Sequence, residues 1–127
     1  MPDVEVLSAG TSAWEGAPAS DAALLVALER NLDLGAHRAR QLTPELVQSA
    51  DLVLAMGPHH LERAQALGGE GKSYLLTAFA AAGQSGRPIN DPFGGDLDQY
   101  RRTLTELQEE IRRVFDRLAA RQLGREQ

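Results

Sequence analysis

The sequence has 127 residues, 43% of them hydrophobic and 24% charged, which is one domain's worth at ~100–200 residues per domain and excludes a disordered or fibrous chain. No apolar run approaches the ~18 residues of a membrane span and no charged-then-apolar leader opens the chain, so the reading is a cytoplasmic protein with no membrane partner. A net charge of −5 argues against nucleic acid as a partner, and the zero Cys count excludes a disulfide, a thiolate nucleophile and a cysteine-held metal within these residues.

The first element is Val4-Glu5-Val6-Leu7, a short alternation read as a strand, with Ser8-Ala9-Gly10 opening a loop at its carboxyl end. A stretch rich in small residues and Pro, residues 11–20, carries the only Trp. Ser20-Asp21 can cap a helix whose apolar positions Ala23, Leu24, Ala27 and Leu28 share a face, and residues 31–35 end it. Thr43-Pro44-Glu45-Leu46 is a helix start, with Thr at the cap and Pro at the first helical position, running to Ala50.

Leu52-Val53-Leu54-Ala55-Met56 then reads as a strand buried on both faces of a parallel sheet, closed by Gly57-Pro58. A helix is expected over residues 58–67, stopped by Gly68-Gly69, and a second buried strand over Ser73-Tyr74-Leu75-Leu76. An Ala-rich turn or helix to Ala82 follows, then a polar loop over residues 83–95. Leu97, Tyr100, Leu104, Leu107, Ile111, Val114 and Leu118 step by three and four and define a long amphipathic helix. Tyr74 and Tyr100 read as packing residues. The whole gives an α/β domain, three-layered with a small parallel sheet, spanning residues 1–127.

The three histidines, His37, His59 and His60, lack metal-site spacing. Adjacent side chains on a helix point about 100° apart, so His59 and His60 are expected not to face one ion, and no metal and no cofactor are expected. Ligands of such sheets bind at the carboxyl ends of the strands, which selects the loops at residues 8–15, 57–60 and 87–95. The last contains Asn90-Asp91-Pro92-Phe93-Gly94-Gly95. Asp91, fixed by the following Pro, reads either as a general acid or as a turn residue, since Asn-Asp-Pro is turn chemistry in its own right.

Taken together, Ser8-Ala9-Gly10-Thr11-Ser12-Ala13-Trp14, His37-Arg38-Ala39-Arg40-Gln41-Leu42, residues 50–56 and Asp91-Pro92-Phe93-Gly94-Gly95 resemble, in order and spacing, the low-molecular-weight protein-tyrosine-phosphatase family over essentially the whole chain. Phe-Gly-Gly after Asp-Pro, then a Tyr and an acidic–basic helix, is similar to the bacterial branch that includes protein-arginine phosphatases. The resemblance implies hydrolysis of a phosphorylated protein substrate: a Cys thiolate in a C-x5-R-[ST] loop attacks phosphorus, and the Asp of the Asp-Pro pair protonates the leaving group.

On that resemblance Asp91 is the catalytic acid, and Trp14 and Phe93 wall the substrate cleft, Trp14 as partial core being the competing reading. Ser8 and His37 support the phosphate loop, with His37 as a surface helix-end residue the alternative. The family places its phosphate loop after a strand ahead of the one matching residues 4–7, so the chain is expected to lack its first strand and helix, a βα unit of ~30 residues. With no nucleophile, the 127 residues are expected to be inactive. A pseudophosphatase binding module is the alternative function, and an arsenate reductase of the same fold is disfavoured by the missing cysteines.

Overall fold

In the computed structural model, which describes residues 4–11, 14–81, 86–92 and 94–126, the elements run α1 (Asp21–Leu28), α2 (Pro44–Ser49), β1 (Val53–Ala55), α3 (Pro58–Ala64), a π-helical turn (Gln65–Gly69), β2 (Ser73–Leu75), α4 (Leu76–Ala80) and α5 (Leu97–Glu126). β1 and β2 pair in parallel with Val53 opposite Ser73 and Ala55 opposite Leu75, the right kind of sheet in two short strands. α3 crosses between them and packs on both, as a parallel pair requires of its connection. α4 contacts the same two strands, and α5 lies across α4 and α1. Among the described residues no helix is long and apolar enough to cross a membrane.

Local chemistry sets most of the boundaries. The Ser20 side chain accepts a hydrogen bond from the Ala23 amide and starts α1. That helix closes where Asn31 takes a left-handed φ of 62°, with the Leu32 amide donating to the Ala27 carbonyl and the Asn31 amide to Leu28. Thr43 Oγ1 accepts from the Leu46 amide and Pro44 fills the first helical position of α2. At α5, Asp96 and Gln99 exchange bonds: Asp96 Oδ1 accepts from the Gln99 amide at 2.8 Å, and Gln99 Oε1 accepts from the Asp96 amide at 3.1 Å. Gly68, with φ 109°, ends the π turn as its position after the apolar run predicts.

Three sequence readings are corrected. Residues 4–7 form no strand, and Val6 and Leu7 are exposed. No described strand lies beside them, and the parallel bridge between Gly10 and Gln41 is the nearest ladder contact. In α1 the core takes Val26 and Ala27 while Leu25 and Leu28 face solvent. The helix is apolar on every side, so its pattern holds no information about which face is inward. On α5, Ile111 is exposed and Glu110, one residue earlier, is buried where it meets Arg113 Nη1 at 2.9 Å and Arg87 Nη2 at 3.3 Å. β1 is also shorter than its apolar run, and α5 is longer.

The core gathers Leu76, Phe79, Ile89 and Val114, with Leu52, Leu54, Leu107 and Leu118 around them. Phe79 is its centre: 1% exposed, 5.6 Å from the Tyr74 ring, and covered by the Arg117 guanidinium 4.2 Å above its own ring. Arg117 Nη1 also donates to the Phe79 carbonyl at 2.8 Å. Phe79→Ala removes the ring under a fixed α5 and is expected to lower stability by about 3–5 kcal/mol, read as a fall in the urea midpoint at unchanged slope.

Candidate active site

The loops that follow β1 and precede α5 converge because two backbone anchors force them to. The Ile89 amide donates to the Met56 carbonyl at 2.8 Å, joining the polar loop to the residue just past β1. Ile89 itself is buried in the core. Upstream, buried Thr77 clamps Arg87 twice: its Oγ1 accepts from the Arg87 amide at 2.7 Å and donates to the Arg87 carbonyl at 2.6 Å. Asp91 therefore emerges two residues beyond a fixed point at the carboxyl end of the sheet. The chain then turns back, with the Gly95 amide donating to the Pro92 carbonyl at 2.7 Å and Gly94 at φ 79°, a backbone value that suits glycine.

The second wall is built from residues 8–18 and 36–42. The Gly10 amide donates to the Arg40 carbonyl and the Leu42 amide donates back to the Gly10 carbonyl, both at 2.8 Å. The Gly16 amide donates to the Ala39 carbonyl at 2.8 Å and the Ala39 amide to the Ala17 carbonyl at 2.7 Å. Side chains add to this: Glu15 Oε2 accepts from the Gln41 amide at 3.0 Å, and Gln41 Nε2 donates to the Thr11 carbonyl at 2.9 Å. A turn at residues 14–17, with Gly16 at φ 82°, holds Trp14 out at the rim, 86% exposed. Trp14 is thus not a core residue.

His60 joins the two walls. It sits in the first turn of α3, and its Nδ1 lies 3.3 Å from Thr11 Oγ1 in a hydrogen bond. Desolvation lowers its pKa below the ordinary imidazole value, the neighbouring His59 lowers it further, and the negative charge of Asp91 opposes both. The His59 and His60 rings meet with centroids 3.8 Å apart and planes tilted by 44°, although their positions on the helix are adjacent. Side-chain torsions close the gap that the helical step opens. Among the described residues no group of three or more His, Cys, Asp or Glu is placed to hold a metal ion.

Of the residues singled out from sequence, Asp91 reaches this junction. Ser8 and His37 are exposed, and the His37 amide closes a turn by donating to the Leu34 carbonyl at 3.0 Å. Phe93 lies outside the described residues. Thr11, His60 and Thr77 were missed as site-building residues. The helix start at Gly57-Pro58, at the carboxyl end of a buried strand, was the signal for His60. Thr77 had none, because a Thr beside a strand end is ordinary. A cleft of about 520 Å³ opens on one side of Asp91, lined by Asn90, Pro92, Gln99, Arg102, Thr103 and Glu106 among others.

Comparison with known proteins places the whole arrangement. Residues 1–125 match the family model described as low molecular weight phosphotyrosine protein phosphatase. The chain is 36% identical over 122 residues to a protein-arginine-phosphatase of Geobacillus stearothermophilus, covering 96% of this chain and 82% of that one. It is 32% identical over 124 residues to the low molecular weight protein-tyrosine-phosphatase Wzb of Escherichia coli K12, again covering 96% and 82%. In three dimensions it is similar to the YwlE arginine phosphatase from Geobacillus stearothermophilus, with a TM-score of 0.86 at 36% identity over 98% of this chain and 80% of that one. It is also similar to the tyrosine phosphatase Wzb from Escherichia coli K30 in complex with sulphate, with a TM-score of 0.82 at 26% identity over 92% and 80%. The chain belongs to the low-molecular-weight phosphotyrosine protein phosphatase family.

The electrostatics of the junction are measurable. His60 should titrate below 6.5 in an NMR pH series, because the folded surroundings disfavour the imidazolium. Asp91→Asn removes the one charge that favours it and should move the midpoint lower still. The sign for stability follows: the unfolded chain takes the proton first, so His60 weakens the fold as pH falls through 6.5 toward the folded value. A His60 midpoint that ignores Asp91→Asn means the carboxylate does not reach the imidazole.

Proposed function

We propose that this member of the family hydrolyses a phosphorylated residue on a protein, phosphotyrosine or phosphoarginine, and that Asp91 is the acid of the reaction. The observation that supports this most is the pinned loop: the Ile89–Met56 bond sets the Asp91-Pro92 pair at the carboxyl end of β1, beside His60. In the chemistry we assign, a thiolate attacks phosphorus and the bond from phosphorus to the tyrosyl oxygen or arginyl nitrogen breaks. Asp91 gives its proton to the leaving atom. Its carboxylate then takes a proton from the water that attacks the phosphocysteine, releasing phosphate and restoring the thiolate. On the family's pattern we assign Trp14 and Phe93 to substrate contact, and Ser8 and His37 to support of the loop that binds phosphate. Phe93-Gly94-Gly95 after the acid leans the choice toward phosphoarginine.

The 127 residues contain no Cys, so the thiolate is not among them. We therefore expect no turnover of p-nitrophenyl phosphate or of a phosphoarginine peptide by these residues alone. The same observation favours a second reading, a binding module that keeps the cleft without the nucleophile. The genomic reading frame upstream of the Met1 codon separates the two. An in-frame segment encoding an apolar strand, then C-x5-R followed by Ser or Thr, supports the enzyme, and an immediate in-frame stop leaves the binding module.

In a chain carrying that loop, Asp91→Asn should lower kcat by about 10²–10⁴-fold for poor leaving groups and much less for leaving groups that need no proton. An equal loss for both classes would make Asp91 a turn residue. Comparing phosphotyrosine with phosphoarginine peptides in the same assay decides the substrate.

A further inference from the structure

We propose that the cleft beside Asp91 is a second binding subsite, which takes an acidic side chain lying within a residue or two of the phosphorylated residue, with Arg102 as its anchor. This rests on the assignment of Asp91 to the reacting end of the cleft. The cleft holds about 520 Å³ between Asn90, Asp91, Pro92, Gly94 and Gly95 on one side and the first turns of α5 on the other, and Asp91 and Arg102 line it together. A substrate whose leaving atom meets Asp91 therefore runs its neighbouring residues into reach of Arg102.

The charges in the cleft are not equivalent. Glu106 is already paired, its Oε1 3.0 Å from Arg87 Nη1. Arg87 is itself shared with buried Glu110. On the same helix Arg101 is engaged by Glu29 and Asp98, each at 2.8 Å, and Arg113 by Glu110 at 2.9 Å. Arg102 is an exposed guanidinium with no ion pair among the described residues, and it also lines a second, shallower cleft with Arg87, Thr105 and Glu109.

Neighbouring donors point the same way. Gln99 accepts the Asp96 amide through Oε1, which fixes its side chain at the cleft and leaves Nε2 to donate. Asn90 and Thr103 supply further donor groups on the wall. A planar fork with an amide beside it is the donor set for a carboxylate, which Arg binds through two parallel hydrogen bonds. A basic side chain would meet Arg102 across the same space and be repelled.

The test uses the isotope-labelled 127-residue chain and blocked five-residue peptides with Glu, Ala or Lys on both sides of a central tyrosine, followed by NMR. The Glu peptide should shift the amides of Gly94, Gly95 and Gln99 and the Arg102 Nε resonance, and bind roughly two- to fivefold more tightly than the Ala peptide, as one partly exposed charge pair allows. Arg102→Gln should abolish that preference, while Arg102→Lys, which keeps the charge and loses the fork, should retain part of it.

Equal affinity for the Glu and Ala peptides, tighter binding of the Lys peptide, or a Glu preference that survives Arg102→Gln overturns the subsite. Phosphorylated versions form a separate arm. Phosphate-dependent shifts at His60 and Asp91 report on the active-site reading, so failure there leaves the unphosphorylated comparison to decide the subsite alone.

Discussion

The constraint on which the site depends is the burial of Ile89. A polar, proline-containing loop has little reason to hold one shape, since its backbone groups can be satisfied by water as well as by protein. Here one apolar side chain in the loop is placed in the core beside Phe79 and Val114, and its amide is given to the Met56 carbonyl. Thr77 then fixes Arg87 by both its amide and its carbonyl. With those points set, the short run to Asp91 has few conformations left, and Pro92 removes more. The acid role proposed for Asp91 would need positioning above all, and the core supplies that positioning.

Helix α5 holds the opposite side of the cleft, and its attachments differ in worth. The pairs of Arg101 with Glu29 and Asp98 are exposed, where solvent screens them and side-chain entropy opposes them. They orient more than they stabilise, as does Arg30, which reaches Gln108 at 2.7 Å, Thr105 and the Arg101 carbonyl from the end of α1. The Glu29 carboxylate is held below its ordinary pKa first by the hydrogen bond from Arg101, which marks a formed contact. The energy lies elsewhere, in the core cluster that Val114 and Phe79 share, with Arg117 covering the Phe79 ring. Glu110 sits between these regimes: nearly buried, it is tolerated because Arg87 and Arg113 both reach it.

Elements that carry their own instructions were legible in the sequence. Ser20, Thr43-Pro44 and the stepping apolar positions of α5 each act within one turn of helix, so their meaning survives without the rest of the chain. The parallel pair β1–β2 was legible for a similar reason, since two apolar runs separated by a helix admit few other arrangements. What was not legible depends on neighbours. Residues 4–7 alternate as a strand does, yet a strand exists only through a partner's hydrogen bonds, and none is offered by the described residues. The inward face of α1, the outward turn of Ile111 and the contact of His60 with Thr11 are each decided by a distant segment. The placement of Asp91 on a loop at the carboxyl end of the sheet was legible, while Thr77, which holds that loop, had no local signal.

A net charge of −5 opposes an anionic ligand only over a short range. At physiological ionic strength the Debye length is about 8 Å, so most of the acidic surface is screened from a ligand seated in the cleft. The basic groups that the walls of the junction carry are His60 in the first turn of α3, Arg38 and Arg40 on the second wall, and Arg102 on α5. Of these cations Arg38 is spent on its own backbone, its Nη1 donating to the Gly35 and His37 carbonyls at 2.9 and 2.7 Å. His60 is held toward neutrality by desolvation. Asp91 and Glu106 line the same cleft, so these groups cannot substitute for a cradle of backbone amides and a dedicated arginine around a phosphate. These walls thus offer side chains suited to what would flank a phosphate, and they do not form a phosphate cradle of their own.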